Sequence, residues 1–209
     1  MSLKQLDVEE AVSVLKSGGI VAYPTETFYG LGAIAFNDTA VQKVFKLKGR
    51  DRKKPLAVLV AGTEMLRMLV VEVPLMAQKL IDAFWPGPLT LILPAKAGLP
   101  SYLTGEEGHI AVRVSSHPMA QALVQGVGQP ITTTSANPSG KAPAINVQQV
   151  KEYFQDRLEG VVDGGELKAG SGSTLILVEG GAWSILREGR IGKNAITKLL
   201  RSEKGWEND

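Results

Sequence analysis

The sequence predicts one α/β domain built on a mixed sheet. Three observations carry this. Short runs rich in Val, Ile and Leu alternate along the chain with segments of helical period. Turn signals such as Gly18-Gly19, Asn37-Asp38 and Trp85-Pro86-Gly87 separate them. The 209 residues suffice for one sizeable core, and no internal repeat or linker divides them.

The elements follow in order. Asp7 followed by Glu10 is a capping-box pattern, and Ala11, Val12 and Leu15 supply the apolar face of a first helix that Gly18-Gly19 ends. Ile20–Tyr23 reads as a buried strand. A second helix starts after Asn37-Asp38, with Val41, Val44 and Phe45 at helical spacing. Leu56–Val60 is a strand, and Thr63–Leu69 and Pro74–Phe84 are helices. Leu89–Leu93 and Ile110–Val114 are strands, joined by "PAKAGLPSYLTGEEG", the longest loop-like piece. Pro118–Gln125 is a helix with proline at its start. Ile131–Thr133 is a strand, Val147–Phe154 a helix, "GVVDGG", "STLILVE" and "WSILREG" strands, and Ile196–Leu200 a short final helix.

Composition excludes whole classes of chemistry. The chain has no cysteine, which removes disulfides, thiolate metal sites and cysteine nucleophiles. His109 and His117 are the only histidines, and no metal-binding cluster or triad signature accompanies them. No apolar run approaches the roughly 18–20 residues of a membrane helix, and the charged N-terminus is unlike a signal peptide, so a cytoplasmic protein without a membrane partner is expected. The formal charge of +2 does not by itself point to nucleic acid. No P-loop occurs. "GLGAIA" fits G-x-G-x-x-[GA], but it does not open a helix, so its glycines read as serving a strand bend.

Four polar constellations remain. Thr25, Glu26 and Thr27 follow a strand and Pro24, at the kind of strand end where α/β sheets bind ligands. "KLKGRDRKK" crowds Lys46, Lys48, Arg50, Arg52, Lys53 and Lys54 around Asp51 at a helix end, a density that suits a triphosphate. "ITTTSANPSG" sets hydroxyls and one amide where a strand ends; strand alternation would point Thr133, Ser135 and Asn137 one way. Ser171 and Ser173 sit in a glycine-rich loop, while Arg113 and Arg187 lie in or after apolar runs, where a buried arginine requires an anionic partner. Each has a plainer reading as a polar turn, a capped helix end or an edge strand. Together they describe cations and hydroxyls with no general base, a set suited to orienting an anionic nucleotide.

With those residues in view, the sequence resembles the YrdC/TsaC family. "GGIVAYPTETFYGLG", "KLKGR", "KPLAVLV", "FWPGPLTLIL", "IAVRVSSHP", "TTTSANPSG" and "GSTLILV…ILREG" occur in that family's order from about Val8 to Gly192. Its paired K-x-R and S-x-N motifs are intact as Lys48-Gly49-Arg50 and Ser135-Ala136-Asn137.

The resemblance implies a single YrdC-like domain over residues 1–209, with its core about 8–192 and a twisted sheet around a concave basic cavity; the polar C-terminal stretch 202–209 is expected to fray on composition alone. It implies an L-threonylcarbamoyl-AMP synthase, a nucleotidyltransferase that joins L-threonine, bicarbonate or CO2, and ATP into threonylcarbamoyl-AMP and pyrophosphate. A downstream transferase complex would pass the threonylcarbamoyl group to tRNA. By the same resemblance, Lys48 and Arg50 are catalytic and, with Arg52, Ser135, Asn137 and Arg187, bind the nucleotide. Thr25, Arg113, Thr133 and Ser173 hold threonine. Mg²⁺ is expected through the ATP phosphates, with no protein metal site.

Two positions depart from the family pattern: Asp51 stands where many relatives have proline after K-x-R, and Ser115 where many have proline after the strand arginine. Longer relatives carry a second domain, so the chain resembles the short form. An RNA-binding module of the same fold, a carbamoyl-adenylating relative and an inactive paralogue stay open as alternatives.

Overall fold

The computed structural model describes residues 3–201; the frayed tail expected at 202–209 lies outside the described residues. The elements run β1 (Gln5–Leu6), α1 (Val8–Lys16), β2 (Val21–Pro24), β3 (Tyr29–Gly32), α2 (Asp38–Lys48), β4 (Val58–Leu59), α3 (Thr63–Arg67), α4 (Leu75–Phe84), β5 (Leu89–Pro94), α5 (Ser101–Thr104) and β6 (His109–Arg113). They continue with α6 (Pro118–Val127), β7 (Ile131–Thr132), β8 (Thr134–Ser135), α7 (Val147–Phe154), β9 (Gly160–Val162), β10 (Thr174–Glu179), β11 (Ala182–Arg187) and α8 (Lys193–Arg201). The chain is a mixed α/β domain. Its strands fall into two sheets, ordered β1-β9-β2-β3-β8 and β11-β10-β5-β6-β4-β7, and each combines parallel and antiparallel pairs.

Helix boundaries follow their capping residues. Asp7 and Glu10 form the capping box at α1, and Asn37 accepts from Ala40 N at the start of α2. Gly49 ends α2 in the left-handed conformation, with φ 58°. The long loop after β5 is partly helical, since α5 lies within it.

The five-stranded sheet is covered on both faces. Ile20, Ala22, Tyr29 and Leu31 pack with Val41, Val44 and Phe45 of α2 and Val150 and Phe154 of α7. Val21 and Tyr23 pack with Ala11 and Leu15 of α1 and Leu123 and Val124 of α6. The six-stranded sheet behaves differently. Leu91, Leu93, Val112, Ile176 and Val178 bury against Leu66, Leu80, Ile81 and Ile196 from its helices. Each such side chain contributes ~1.5–3 kcal/mol of burial. Strand alternation sends the intervening residues Thr90, Ile92, Ala111, Arg113, Leu175 and Leu177 to the other face, where a cavity and a groove lie.

Thr132 stitches the sheets together. Wholly buried at the end of β7, its hydroxyl donates to Leu31 O (2.9 Å) and accepts from Ala33 N (3.0 Å). The chain then crosses from one sheet to the other between Thr132 and Thr134. Gly30 and Gly32 lie in a regular strand rather than a bend, under the Tyr23 ring. A Cβ on Gly32 would sit 2.9 Å from Tyr23 Cε1.

Candidate functional site

A cavity of about 480 Å³ opens between the two sheets, within the usual range for a small-molecule site of roughly 300–1,000 Å³. Seven of the ten residues singled out from the sequence line it: Thr25, Arg50, Arg113, Thr133, Ser135, Ser173 and Arg187. They reach it from separate parts of the chain: the β2–β3 turn, the loop after α2, β6, the sheet crossover, and the β10 and β11 ends.

Thr25 builds the turn it occupies. Its hydroxyl donates to Phe28 O (2.7 Å) and accepts from Thr27 N and Phe28 N, each at 3.2 Å. Arg113, 6% exposed, meets Glu26 Oε1 through Nη2 at 2.5 Å and Thr27 Oγ1 through Nη1 at 3.3 Å. The Ser115 hydroxyl bonds the other Glu26 oxygen. The anionic partner required for a buried strand arginine is therefore an internal glutamate. Arg113 Nε is buried without a hydrogen-bond partner.

Arg50 donates to Lys54 O (2.9 Å) and Pro55 O (3.0 Å), which fixes its guanidinium against its own loop. Arg187 donates to Ser173 O (2.9 Å) and Ser173 Oγ (3.2 Å), and that serine shares a 2.8 Å hydrogen bond with Thr90. Burial, then the neighbouring Arg187 cation, lowers the Arg50 pKa; burial, then Arg113, lowers that of Arg187. Three guanidiniums thus crowd one cavity with a single carboxylate behind them. Such an array favours a multiply charged anion, because each cation is relieved by the ligand. Among the described residues, no carboxylate or histidine lines the cavity.

The other three residues sit elsewhere. Lys48 is buried, and its ammonium donates to Ser135 O and to Asn137 O (2.8 Å). Asn137 turns away from the cavity, donating to Pro138 O (2.9 Å) and Lys141 O (2.8 Å). Arg52 is exposed and donates to Gln42 Oε1 at 2.5 Å. The alternation expected through Thr133, Ser135 and Asn137 fails, because the sheet crossover breaks the strand. Thr133, Thr134 and Ser135 all face the cavity instead. Thr27, placed with Thr25 and Glu26 at a ligand-binding strand end, does line the cavity; Thr90 as a lining residue and Glu26 as the partner of Arg113 were not foreseen. A lone threonine in "PLTLILP" was the available signal for Thr90.

The family model described as "Telomere recombination", Sua5/YciO/YrdC, matches residues 13–189. The chain belongs to the Sua5/YciO/YrdC family. It is 37% identical over 198 residues to a threonylcarbamoyl-AMP synthase of Pyrococcus abyssi, a match covering 95% of this chain and 58% of that protein. It is 38% identical over 201 residues to a threonylcarbamoyl-AMP synthase of Bacillus subtilis, covering 96% and 58%. The crystal structure of P. abyssi Sua5 complexed with L-threonine superposes with a TM-score of 0.89 at 38% identity, over 93% of this chain and 57% of that one. The chain therefore spans a little over half the length of these Sua5/YciO/YrdC relatives. No described helix is long and apolar enough to cross a membrane.

Proposed function

We propose that this chain carries the threonylcarbamoyl-AMP synthase reaction: L-threonine, bicarbonate or CO2, and ATP give threonylcarbamoyl-AMP and pyrophosphate. The observation that carries the reading is the convergence of Arg50, Arg113 and Arg187 with threonine and serine hydroxyls on one cavity that has no acid or base of its own. The relatives that bear this name, and the related structure holding L-threonine, support it.

The chemistry suits such a site. Threonine amine and CO2 form a carbamate, and one carbamate oxygen attacks the α-phosphorus of ATP. The bond from that phosphorus to the bridging oxygen breaks, and pyrophosphate leaves with the electron pair. A carbamate is already nucleophilic, so positioning and charge stabilisation are the main requirements. Arg50 and Arg187 would balance the triphosphate, with Ser135 donating to it. Arg113, oriented by Glu26 and Thr27, would take the threonine carboxylate, with Thr133 and Ser173 beside it and Thr25 shaping the turn. An adjoining groove shares Pro55 and Ala111 with the cavity; Ile92, Leu177 and Leu186 give it apolar surface against which a base would lie, and Lys53, Glu106, Glu107 and His109 line it as well. No cluster of three or more potential metal ligands occurs among the described residues. Mg²⁺ would accordingly ride on the phosphates, where it offsets charge. A cytoplasmic setting, tRNA as the eventual acceptor and a separate transferase complex complete the proposal.

The test is incubation with ATP, bicarbonate and each amino acid in turn, scored for pyrophosphate and for the adenylate by mass. Threonine-dependent release of both is expected. Salt-sensitive RNA binding without turnover would replace this reading with the binding-module one, and turnover only with carbamoyl phosphate would indicate a carbamoyl-adenylating relative.

A further inference from the structure

Lys48 is a buried cation that does not line the cavity. It ends α2 two residues before Arg50, with Gly49 turning the chain between them. Its side chain runs inward to 3% exposure, and its ammonium bonds two backbone carbonyls, Ser135 O and Asn137 O, far away in sequence. Its own carbonyl accepts from Ser139 N at 2.7 Å. One residue therefore makes three hydrogen bonds to a five-residue stretch. That stretch is also held by the pairing of Ser135 with Gly30, by Ala136 N on Tyr29 O (2.7 Å), by Asn137 N on Ser135 O (3.0 Å), by Ala144 N on Ala136 O (3.2 Å) and by the Asn137 amide closing its turn. Ser135, at its head, lines the cavity opposite the Arg50 loop.

We infer that Lys48 is a positioning residue that ties the Ser135–Asn137 wall of the cavity to the helix end carrying Arg50, and that it does not itself contact the ligand's phosphates. A lysine suits this task. A single ammonium carries three donors on a long stem, and here it bridges the Asn137 carbonyl and the Ser135 carbonyl, which also accepts from Asn137 N at 3.0 Å. Arg50, two residues on and past the left-handed Gly49, lines the cavity while its guanidinium donates to Lys54 O and Pro55 O. Burial pushes the Lys48 amine down to about 8, with the Arg50 cation adding to the effect. The tie is thus strong in geometry and costly in charge.

The nucleotide part of this inference rests on the proposed function; the tie itself does not, and the test separates them. Amide hydrogen exchange on the ligand-free protein reads the tie directly. In Lys48→Met, exchange at Ala136, Asn137 and Ser139 should quicken at least tenfold, while amides of the β2–β3 pair keep their rates. Lys48→Gln, which keeps a shorter donor without the charge, should restore part of the protection. Unchanged exchange in Lys48→Met overturns the inference. Calorimetry with a non-hydrolysable ATP analogue then reads the consequence. Lys48→Met should weaken binding about tenfold yet keep the wild-type salt dependence, because the cations facing the phosphates are still present. Arg50→Gln should flatten that dependence. If Lys48→Met flattens it equally, Lys48 is a phosphate contact and the inference fails. A wild-type protein that binds the analogue but releases no pyrophosphate would sink the proposed reaction alone, leaving the tie to the exchange result.

Discussion

Arg113 Nη2 stands 2.5 Å from Glu26 Oε1, with only 7% and 15% of the two side chains exposed. The pair joins β6 of the six-stranded sheet to the β2–β3 turn of the five-stranded one. It therefore sits at the junction the cavity occupies. Glu26 and Thr27 hold the two terminal nitrogens of the guanidinium, so together they fix the direction in which Arg113 can offer its charge.

Breaking the pair should be felt in both stability and substrate demand. Arg113→Ala leaves the Glu26 carboxylate buried without its cation, a change that costs ~3–5 kcal/mol. The threonine KM should rise at least tenfold and the ATP KM less than threefold. Glu26→Gln keeps the shape but weakens the hold, so it should raise the threonine KM severalfold with a smaller loss of melting temperature. Pyrophosphate release with each substrate varied, together with thermal melts, checks this; equal effects on both KM values would reject the carboxylate role.

Much of the fold could be read from local patterns. The caps at Asp7 and Asn37 and the proline start of α6 mark helices because a few neighbouring residues determine them. The second sheet could not be read, because the crossover at Thr133 depends on Thr132 meeting Leu31 and Ala33 from a distant strand. Strand alternation assumes a continuous strand, and that assumption misplaced Asn137. The candidate site was legible as residue types: cations and hydroxyls at element ends. Whether a cation faces the cavity or the protein interior is a long-range fact. Lys48 and Arg50 are two residues apart with opposite fates, decided by Gly49 and by which carbonyls lie within reach.

The K-x-R neighbourhood gives a sharp contrast. Arg50 lines the cavity, and Arg52 is exposed on Gln42. Arg50→Ala should lower kcat/KM for ATP by ~10²–10³, the loss typical of removing one charge-stabilising donor. Arg52→Ala should stay within about twofold, as expected for a surface cation. Steady-state pyrophosphate assays on both variants decide; a large loss in Arg52→Ala would mean that the exposed loop folds over the nucleotide.

Gly32→Ala tests the floor under the crossover. The added Cβ would lie 2.9 Å from Tyr23 Cε1. That ring is fully buried, and its hydroxyl donates to Thr132 O at 3.0 Å, so it cannot move aside without loosening the joint between the sheets. Overpacking of this kind costs ~1–3 kcal/mol, or roughly 2–12 °C in melting temperature for a chain of this size. Gly62→Ala, where nothing lies within 4 Å of the new Cβ, is the control and should melt near wild type. Equal melting temperatures for the two variants would show that the Tyr23 packing is dispensable.

The buried Lys48 amine predicts a stability profile opposite to that of a salt-bridged lysine. Its ordinary value of 10.5 is pushed down to about 8, chiefly by burial and then by the Arg50 cation. Below pH 8 the amine is charged in folded and unfolded chains alike, and the folded state bears the whole cost of burying it. Between pH 8 and 10.5 the unfolded chain holds a proton that the folded chain has released, so folding becomes more favourable as pH rises. Tyr23 and Tyr29, both held up at about 12 mainly by burial, act in the other direction above pH 10, where unfolded tyrosines ionise first. The useful window is therefore pH 8–10. Urea midpoints of wild type and Lys48→Met measured across it should diverge, with wild type gaining on the variant as pH rises. The tyrosines contribute equally to both proteins and cancel in the difference. A gap that stays constant from pH 7 to 10 would mean that the amine titrates near its ordinary value, and so that the folded chain leaves it in contact with water.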